Sequence, residues 1–229
     1  MRKFGLNGNQ LKLIALITMA IDHIGMYFFP HIQILRIIGR LSMPIFAFMI
    51  AEGCRYTGNK KRYILLTAGV GLLCQVVYFV AMRSLYQCIL ITFTLSILLI
   101  FCIQRVEAQQ DDKCIPLLAL CIGIVFFLCN ILPDLLHRTD YEISYGLCGV
   151  LLPVFCYLGR NRKQQLLLTG LGLILLSLSL GDIQWYSLST LLLLALYNGT
   201  RGKRKMKYLF YIFYPAHLAL LYLIGQIVR

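Results

Sequence analysis

Acidic residues are few: nine Asp and Glu stand among 229 residues, against 22 Lys and Arg, and all four types together make up 14% of the chain. So little charge excludes an ordinary soluble domain, in which roughly one residue in four is charged. No strict alternation of apolar and polar residues occurs, which excludes a spanning β-barrel. None of the nine cysteines forms a Cys-x-x-Cys pair, so neither a zinc site nor a disulfide framework is supported. Seven of them, such as Cys102 and Cys156, lie in apolar runs and read as small core residues. Cys54 and Cys114 fall at span ends expected to face the cytoplasm, where disulfides are rare. Linkers, low-complexity tracts and internal repeats are missing, and the short loops leave little room for chemistry outside the helices. A small-residue cleavage site is missing as well, so the first apolar run is expected to be retained rather than removed as a signal peptide.

What is present is apolar: 59% of the residues are hydrophobic and the mean hydropathy is +0.77. Runs near the length a helix needs to cross a bilayer fall at about 11–29, 41–57, 63–82, 86–104, 115–132, 143–158, 165–180, 185–199 and 208–228. The fold class expected is all-α, a polytopic helical bundle with about nine transmembrane helices forming a single domain over 1–229. The seventh run is short and marks the weakest point of that count. Basic residues set the orientation, since Lys and Arg collect in short cytoplasmic loops. Placing the N-terminus inside puts 17 of the 22 Lys and Arg there, leaving Arg36, Arg40, Arg83, Arg138 and Arg229 outside. The expectation is N-in and C-out, multi-pass in the cytoplasmic (inner) membrane.

The same partition accounts for the net charge of +13 without nucleic acid. The densest cluster, Arg201, Lys203, Arg204, Lys205 and Lys207, reads first as an orientation signal. It would also suit anionic lipid or the phosphates of a cofactor.

Against this apolar background the ionisable residues stand out. Asp22 and His23 lie inside the first run, where charge costs at least ~2.5 kcal/mol per residue on insertion scales. Adjacent helical residues point about 100° apart, so each must find its partner on another helix. His23 falls about 18 Å from the start of its run and His217, in the last run, about 14 Å from its own, which puts the two at similar depth. A histidine there can take and return a proton near neutral pH; the alternative is a structural histidine bonded to a backbone carbonyl. Arg36 and Arg40 are four apart and share one helix face, fit to hold an oxyanion, a phosphate or Asp22. Snorkelling to headgroups is their other reading. Pro44 should kink the second span, and Glu52 at its end either belongs to the site or neutralises the basic loop after it. A metal is not expected, because Asp22 is the only carboxylate near the two histidines.

Several blocks in matching order carry a resemblance: Leu11 to Leu16 running into Ile21-Asp22-His23-Ile24-Gly25; Arg36-Ile37-Ile38-Gly39-Arg40 through Pro44-Ile45-Phe46-Ala47-Phe48 to Glu52-Gly53; Tyr145-Gly146 to Leu152; Tyr197-Asn198-Gly199-Thr200-Arg201-Gly202; and Tyr208 to Leu218 around Pro215-Ala216-His217. On these the chain resembles the TraX family, polytopic membrane proteins named for acetylation of conjugative pilin. It is also similar in broad plan to the multi-span acyltransferases that carry acetyl groups to sugars outside the membrane. Ser144 departs from the pattern, since an acidic residue is expected before Tyr-Gly, and Asp140 is out of register.

The resemblance implies an acetyltransferase using acetyl-CoA as acyl donor, with a protein amine such as a pilin N-terminus, or a saccharide hydroxyl, as acceptor. In that reading His23, Asp22, Arg36, Arg40, Glu52 and His217 form the catalytic group. Arg201, Lys203 and Arg204 would hold the phosphates of acetyl-CoA. Two other classes fit an intramembrane polar cluster less well: a proton-coupled transporter of a small polar solute, for which two related halves are not found, and a noncatalytic assembly factor, which needs no buried ionisable group.

Overall fold

The computed structural model describes residues 5–109, 114–203 and 207–228. Helix α1, Gly8–Phe28, starts where Asn7 closes a reciprocal cap: its side chain accepts from the Gln10 amide while the Gln10 side chain accepts from the Asn7 amide. A short α2, Gln33–Gly39, and α3, Ser42–Tyr56, are separated by a turn at Arg40 and Leu41. Pro44 has no N–H to offer the carbonyl one turn back, so the kink expected from it falls as a break just before α3. Helix α4, Lys60–Met82, begins at an Asn59 cap and α9, Arg162–Leu180, at an Asn161 cap. Between them lie α5, Ile89–Gln109; α6, Ile115–Phe126, which runs through a π turn, Phe127–Ile131, into α7, Leu132–Leu135; and α8, Gly146–Leu158. A 3-10 helix, Asp182–Ser189, leads into α10, Thr190–Ala195, and α11, Lys207–Val228, continues through Pro215.

Among the described residues six helical segments are long and apolar enough to cross a membrane: Gly8–Phe28, Gln33–Tyr56, Lys60–Val80, Ile89–Gln109, Ile115–Leu135 and Arg162–Leu180. The short seventh run is thus one of the long ones, as α9 with 19 residues. The sixth run yields α8, whose 13 residues cover only about 20 Å at the helical rise. The eighth run, 185–199, corrects the expectation of a regular helix: it is the 3-10 segment followed by six residues of α10. Within it the Ser189 hydroxyl donates to the Tyr186 carbonyl at 2.6 Å, a local alternative for a backbone acceptor that a purely apolar run does not offer.

Contacts between loops and helix ends sort the molecule into two faces. On one, here the basic face, the Leu6 amide donates to the Leu196 carbonyl at 2.8 Å, Gln104 donates to the Cys54 carbonyl at 3.0 Å, and Arg162 donates to the Leu194 carbonyl. On the opposite, far face, the Gln87 amide donates to the Glu142 carbonyl at 2.8 Å and the Leu85 amide to Asp140 Oδ1 at 2.8 Å. With Ser84 and Leu85 both donating to it, the exposed Asp140 carboxyl is held below its usual range. Its place is therefore to tie two loops, not to stand in for an acid at Ser144.

The core is built on α3, whose Ile45, Ala47, Phe48 and Ala51 are wholly buried against Leu11 and Ala15 of α1, Leu152 of α8 and Leu173 of α9. A second cluster around Ile97, Ile100 and Val150 joins α5 to α8. Outward, by contrast, Leu65, Val80, Leu120, Leu167 and Leu192 stand exposed. Apolar surface on this scale belongs against lipid rather than water.

Candidate active site

Asp22, buried near the far end of α1, is clamped by two cations from α2 and the turn after it. Arg36 Nη1 lies 3.0 Å from Asp22 Oδ1, and Arg40 Nη2 donates to both carboxylate oxygens at 2.9 Å. The spacing of four places both guanidiniums on one side, as expected. Arg40 also reaches the Arg36 carbonyl at 3.3 Å and Gln184 Oε1 at 3.4 Å, which ties the 3-10 segment into the same group. At the clamp itself two guanidiniums face one carboxylate, a local excess of positive charge suited to a developing anion, although Glu142 and Asp182 also line the cavity beside it.

The carboxylate needs space that a side chain at position 39 would take. A Cβ added to Gly39 would lie 2.2 Å from Asp22 Oδ1 and 2.3 Å from its Cβ. Gly39→Ala must push the carboxylate off at least one arginine. The expected result is a loss of about 1–3 kcal/mol of stability, as overpacking costs, read as a lower melting temperature in detergent.

His23 finds its partner on α11. Its Nδ1 lies 2.8 Å from His217 Nε2, and His217 Nδ1 lies 2.8 Å from the Phe213 carbonyl oxygen. A carbonyl can only accept, so His217 Nδ1 carries a proton; in the neutral ring its Nε2 is then an acceptor. His23 Nδ1 must donate to it, which leaves His23 Nε2 as the unprotonated nitrogen. The two ring centroids lie 5.0 Å apart, while Phe213 stacks on His217 and Tyr214 meets its edge. Sequence reasoning put the histidines at one depth; the direction of the hydrogen bonds needed the structure.

A cavity of about 600 Å³ opens by this group, lined by Asp22, His23, Arg36, Arg40, Glu142 and Tyr145 among others. Tyr145 and Asp182, both in its wall, hold left-handed backbone with φ of 64° and 23°. Such conformations cost of order 1–3 kcal/mol each in non-glycine residues and gather at functional sites. A second cavity, of about 420 Å³, opens towards the basic face and is lined by Asn9, Lys12, Glu52, Tyr56, Tyr197 and Arg201, with further apolar residues.

Glu52 is not brought to His23. It sits at the other end of α3, ten residues beyond Ser42 or about 15 Å along the helix axis. There it accepts from Arg55 at 3.1 Å, Gln165 at 3.1 Å and Tyr197 at 3.2 Å, while Arg55 also donates to the Tyr157 and Gly159 carbonyls at 2.6 and 3.0 Å. Glu52 thus links α3, α8, α9 and the segment after α10. Arg201 lines the basic-face cavity and Lys203 is exposed beside it, whereas Arg204 lies outside the described residues. Gln165, Gln184 and Glu142 were not singled out in the sequence, and Tyr145 and Tyr197 stood there only within blocks of resemblance, with no role of their own. The two glutamines carried a usable signal, being amides within or beside apolar runs; the tyrosines did not stand out among 14.

The chain is similar to known proteins along most of its length. Over 253 aligned residues, 96% of each chain, the protein is 27% identical to a probable fimbrial assembly protein, FimC of serogroup H1, from Dichelobacter nodosus. Over 56 residues, 24% of this chain and 22% of the other, it is 45% identical to an uncharacterized protein of Rickettsia prowazekii (strain Madrid E). No solved structure matches it. The model of the family described as TraX protein matches residues 7–225, a stretch that holds Asp22, His23, Arg36, Arg40 and His217 together, and the chain belongs to the TraX family.

Proposed function

We propose that this membrane protein is an acetyltransferase that moves an acetyl group from acetyl-CoA to an amine, such as the N-terminus of a pilin-like subunit, or to a hydroxyl. The observation that carries the reading is the directed chain from the Phe213 carbonyl through His217 to His23, which leaves His23 Nε2 unprotonated beside the guanidiniums of Arg36 and Arg40. The family's association with pilin acetylation and a relative named for fimbrial assembly support the acceptor class.

In this mechanism the acceptor N–H or O–H attacks the thioester carbonyl carbon while His23 Nε2 takes its proton. Arg36 and Arg40 stabilise the oxyanion of the tetrahedral intermediate and Asp22 holds their forks in place. Collapse breaks the C–S bond, completes the new amide or ester, and the departing thiolate takes up the proton from His23. Arg201 and Lys203, with Arg204, hold the donor's phosphates at the basic face. Glu52 serves as a positioning residue for the basic-face cavity.

The test is release of free thiol from acetyl-CoA by detergent-purified protein offered amine and hydroxyl acceptors. Acceptor-dependent turnover is the expected result. A folded sample that neither turns over nor binds the coenzyme overturns the reading and favours transport of a small polar solute. Orientation in the inner membrane is checked separately: Arg160→Cys should add no labelling by an impermeant thiol reagent in intact cells over that of the wild type. Added labelling from outside would reverse the N-in assignment.

A further inference from the structure

Cys102 of α5 and Cys121 of α6 meet where the two helices pack. Their Sγ atoms lie 3.3 Å apart, and both are half-buried free thiols. In the chain they stand 19 positions apart, with no Cys-x-x-Cys spacing to mark the pair. Cys102 falls seven residues before the basic-face end of α5 and Cys121 six after the start of α6, about 10 Å and about 9 Å along the helix axes. The pair therefore lies at one depth, inside the apolar part of both spans. Leu98, Leu117 and Ile124, each three or four residues from one of the cysteines, are exposed. The sulfurs thus open towards lipid, and neither cysteine lines the two cavities described.

We propose that Cys102 and Cys121 form an intramembrane dithiol that a lipid hydroperoxide oxidises to a disulfide, cross-linking α5 to α6, with Cys102 as the attacking thiol. This chemistry needs neither acetyl-CoA nor the histidines. Sulfurs in contact at 3.3 Å need only come about 1.2 Å closer to bond. Place selects the oxidant, since hydrogen peroxide has to leave water to reach this depth, whereas a hydroperoxide on a fatty acyl chain is already dissolved in the hydrocarbon. Thiolate is the nucleophilic form. Arg105, three residues beyond Cys102 and on the same side of α5, offers that thiolate a positive charge, while α6 itself carries no charged residue.

Cys102 Sγ attacks the terminal oxygen of the hydroperoxide and the O–O bond breaks. Cys102 becomes a sulfenic acid, and the departing lipid alkoxide takes the proton that the thiol gave up. Cys121 Sγ then attacks the sulfenic sulfur, the S–O bond breaks, and the hydroxyl leaves with the second thiol proton as water. Two thiols and one hydroperoxide give one disulfide, one lipid alcohol and one water, with two electrons passing from the sulfurs to the O–O bond. Because Cys121 is already in contact, the second step is intramolecular and outruns further oxidation. Among the twelve residues of α6 only Val125 is buried, so this helix has little packing to hold it. The disulfide fastens it to α5, and with it the π turn and α7 that lead towards Glu142 in the wall of the far cavity.

The test is a count of free thiols in proteoliposomes treated with linoleic acid hydroperoxide, taken after the oxidant is removed and the protein denatured. The wild type should lose two of its nine thiols. Mass spectrometry of a digest should find peptides of α5 and α6 joined through Cys102 and Cys121 and parted again by dithiothreitol. Cys121→Ser should stop at the sulfenic acid and take up one dimedone on Cys102, whereas Cys102→Ser should lose no thiol and take up none. All nine thiols surviving in the treated wild type, or a bond joining other cysteines, overturns the proposal. A dimedone adduct on Cys121 in Cys102→Ser, with none on Cys102 in Cys121→Ser, overturns the assigned attack. Should a serine variant fail to fold, the thiol count and the joined peptides of the wild type decide alone.

Discussion

His23→Ala is expected to lower thiol release from acetyl-CoA by about 10²–10⁴-fold, the range a positioned general base supplies. The loss should appear in kcat with little change in KM, because His23 lies in the far cavity while the proposed donor contacts lie at the basic face. His217→Ala should cost less. It removes the acceptor for His23 Nδ1 and frees the ring to carry its proton on either nitrogen, which lowers the fraction of the productive tautomer. His217→Gln offers an amide oxygen at this place and should recover part of the loss, an outcome that a purely space-filling role for His217 would not produce. Wild-type turnover in correctly folded His23→Ala would remove His23 from the centre of the mechanism.

Asp22→Ala carries the largest expected effect on stability. Asp22 faces two guanidiniums within 3.0 Å, and its side chain and that of Arg40 are only 11% and 13% exposed. Removing one partner of a buried pair costs about 3–5 kcal/mol, because the other charge is left uncompensated. Here two cations would be left facing each other, so the loss should reach the upper part of that range. Asp22→Ala should therefore melt well below the wild type in detergent, and Asp22→Leu combined with Arg36→Leu and Arg40→Leu should recover stability though not turnover. An unchanged melting point for Asp22→Ala would mean that solvent in the far cavity already screens the pair.

Much of this was legible before any coordinates. Helical class, the intramembrane placement of Asp22 and His23, their need for partners on other helices, and the shared face of Arg36 and Arg40 all follow from period, depth and spacing. What stayed hidden were matters of three-dimensional contact. Glu52, at the end of its run, read as either a site residue or a neutraliser of the basic loop after it, and sequence could not reveal that Gln165 and Tyr197 would meet it there. The segment 185–199 looked like its neighbours because average hydropathy is blind to serine hydroxyls competing for the backbone. Tyr145 was visible as part of a Tyr-Gly pair, but its left-handed backbone was not.

The hydrogen bond between His23 and His217 joins residues 194 positions apart in the chain. A ribosome delivers His23 to the bilayer long before it delivers His217, and until α11 inserts beside α1 the earlier histidine has no fixed tautomer. On the proposed mechanism, a partly made chain would hold its clamp of Asp22, Arg36 and Arg40 with its His23 tautomer unfixed, and would work below its full rate. Full competence, on the acetyltransferase proposal, would thus arrive late in biosynthesis, once α11 has closed against α1.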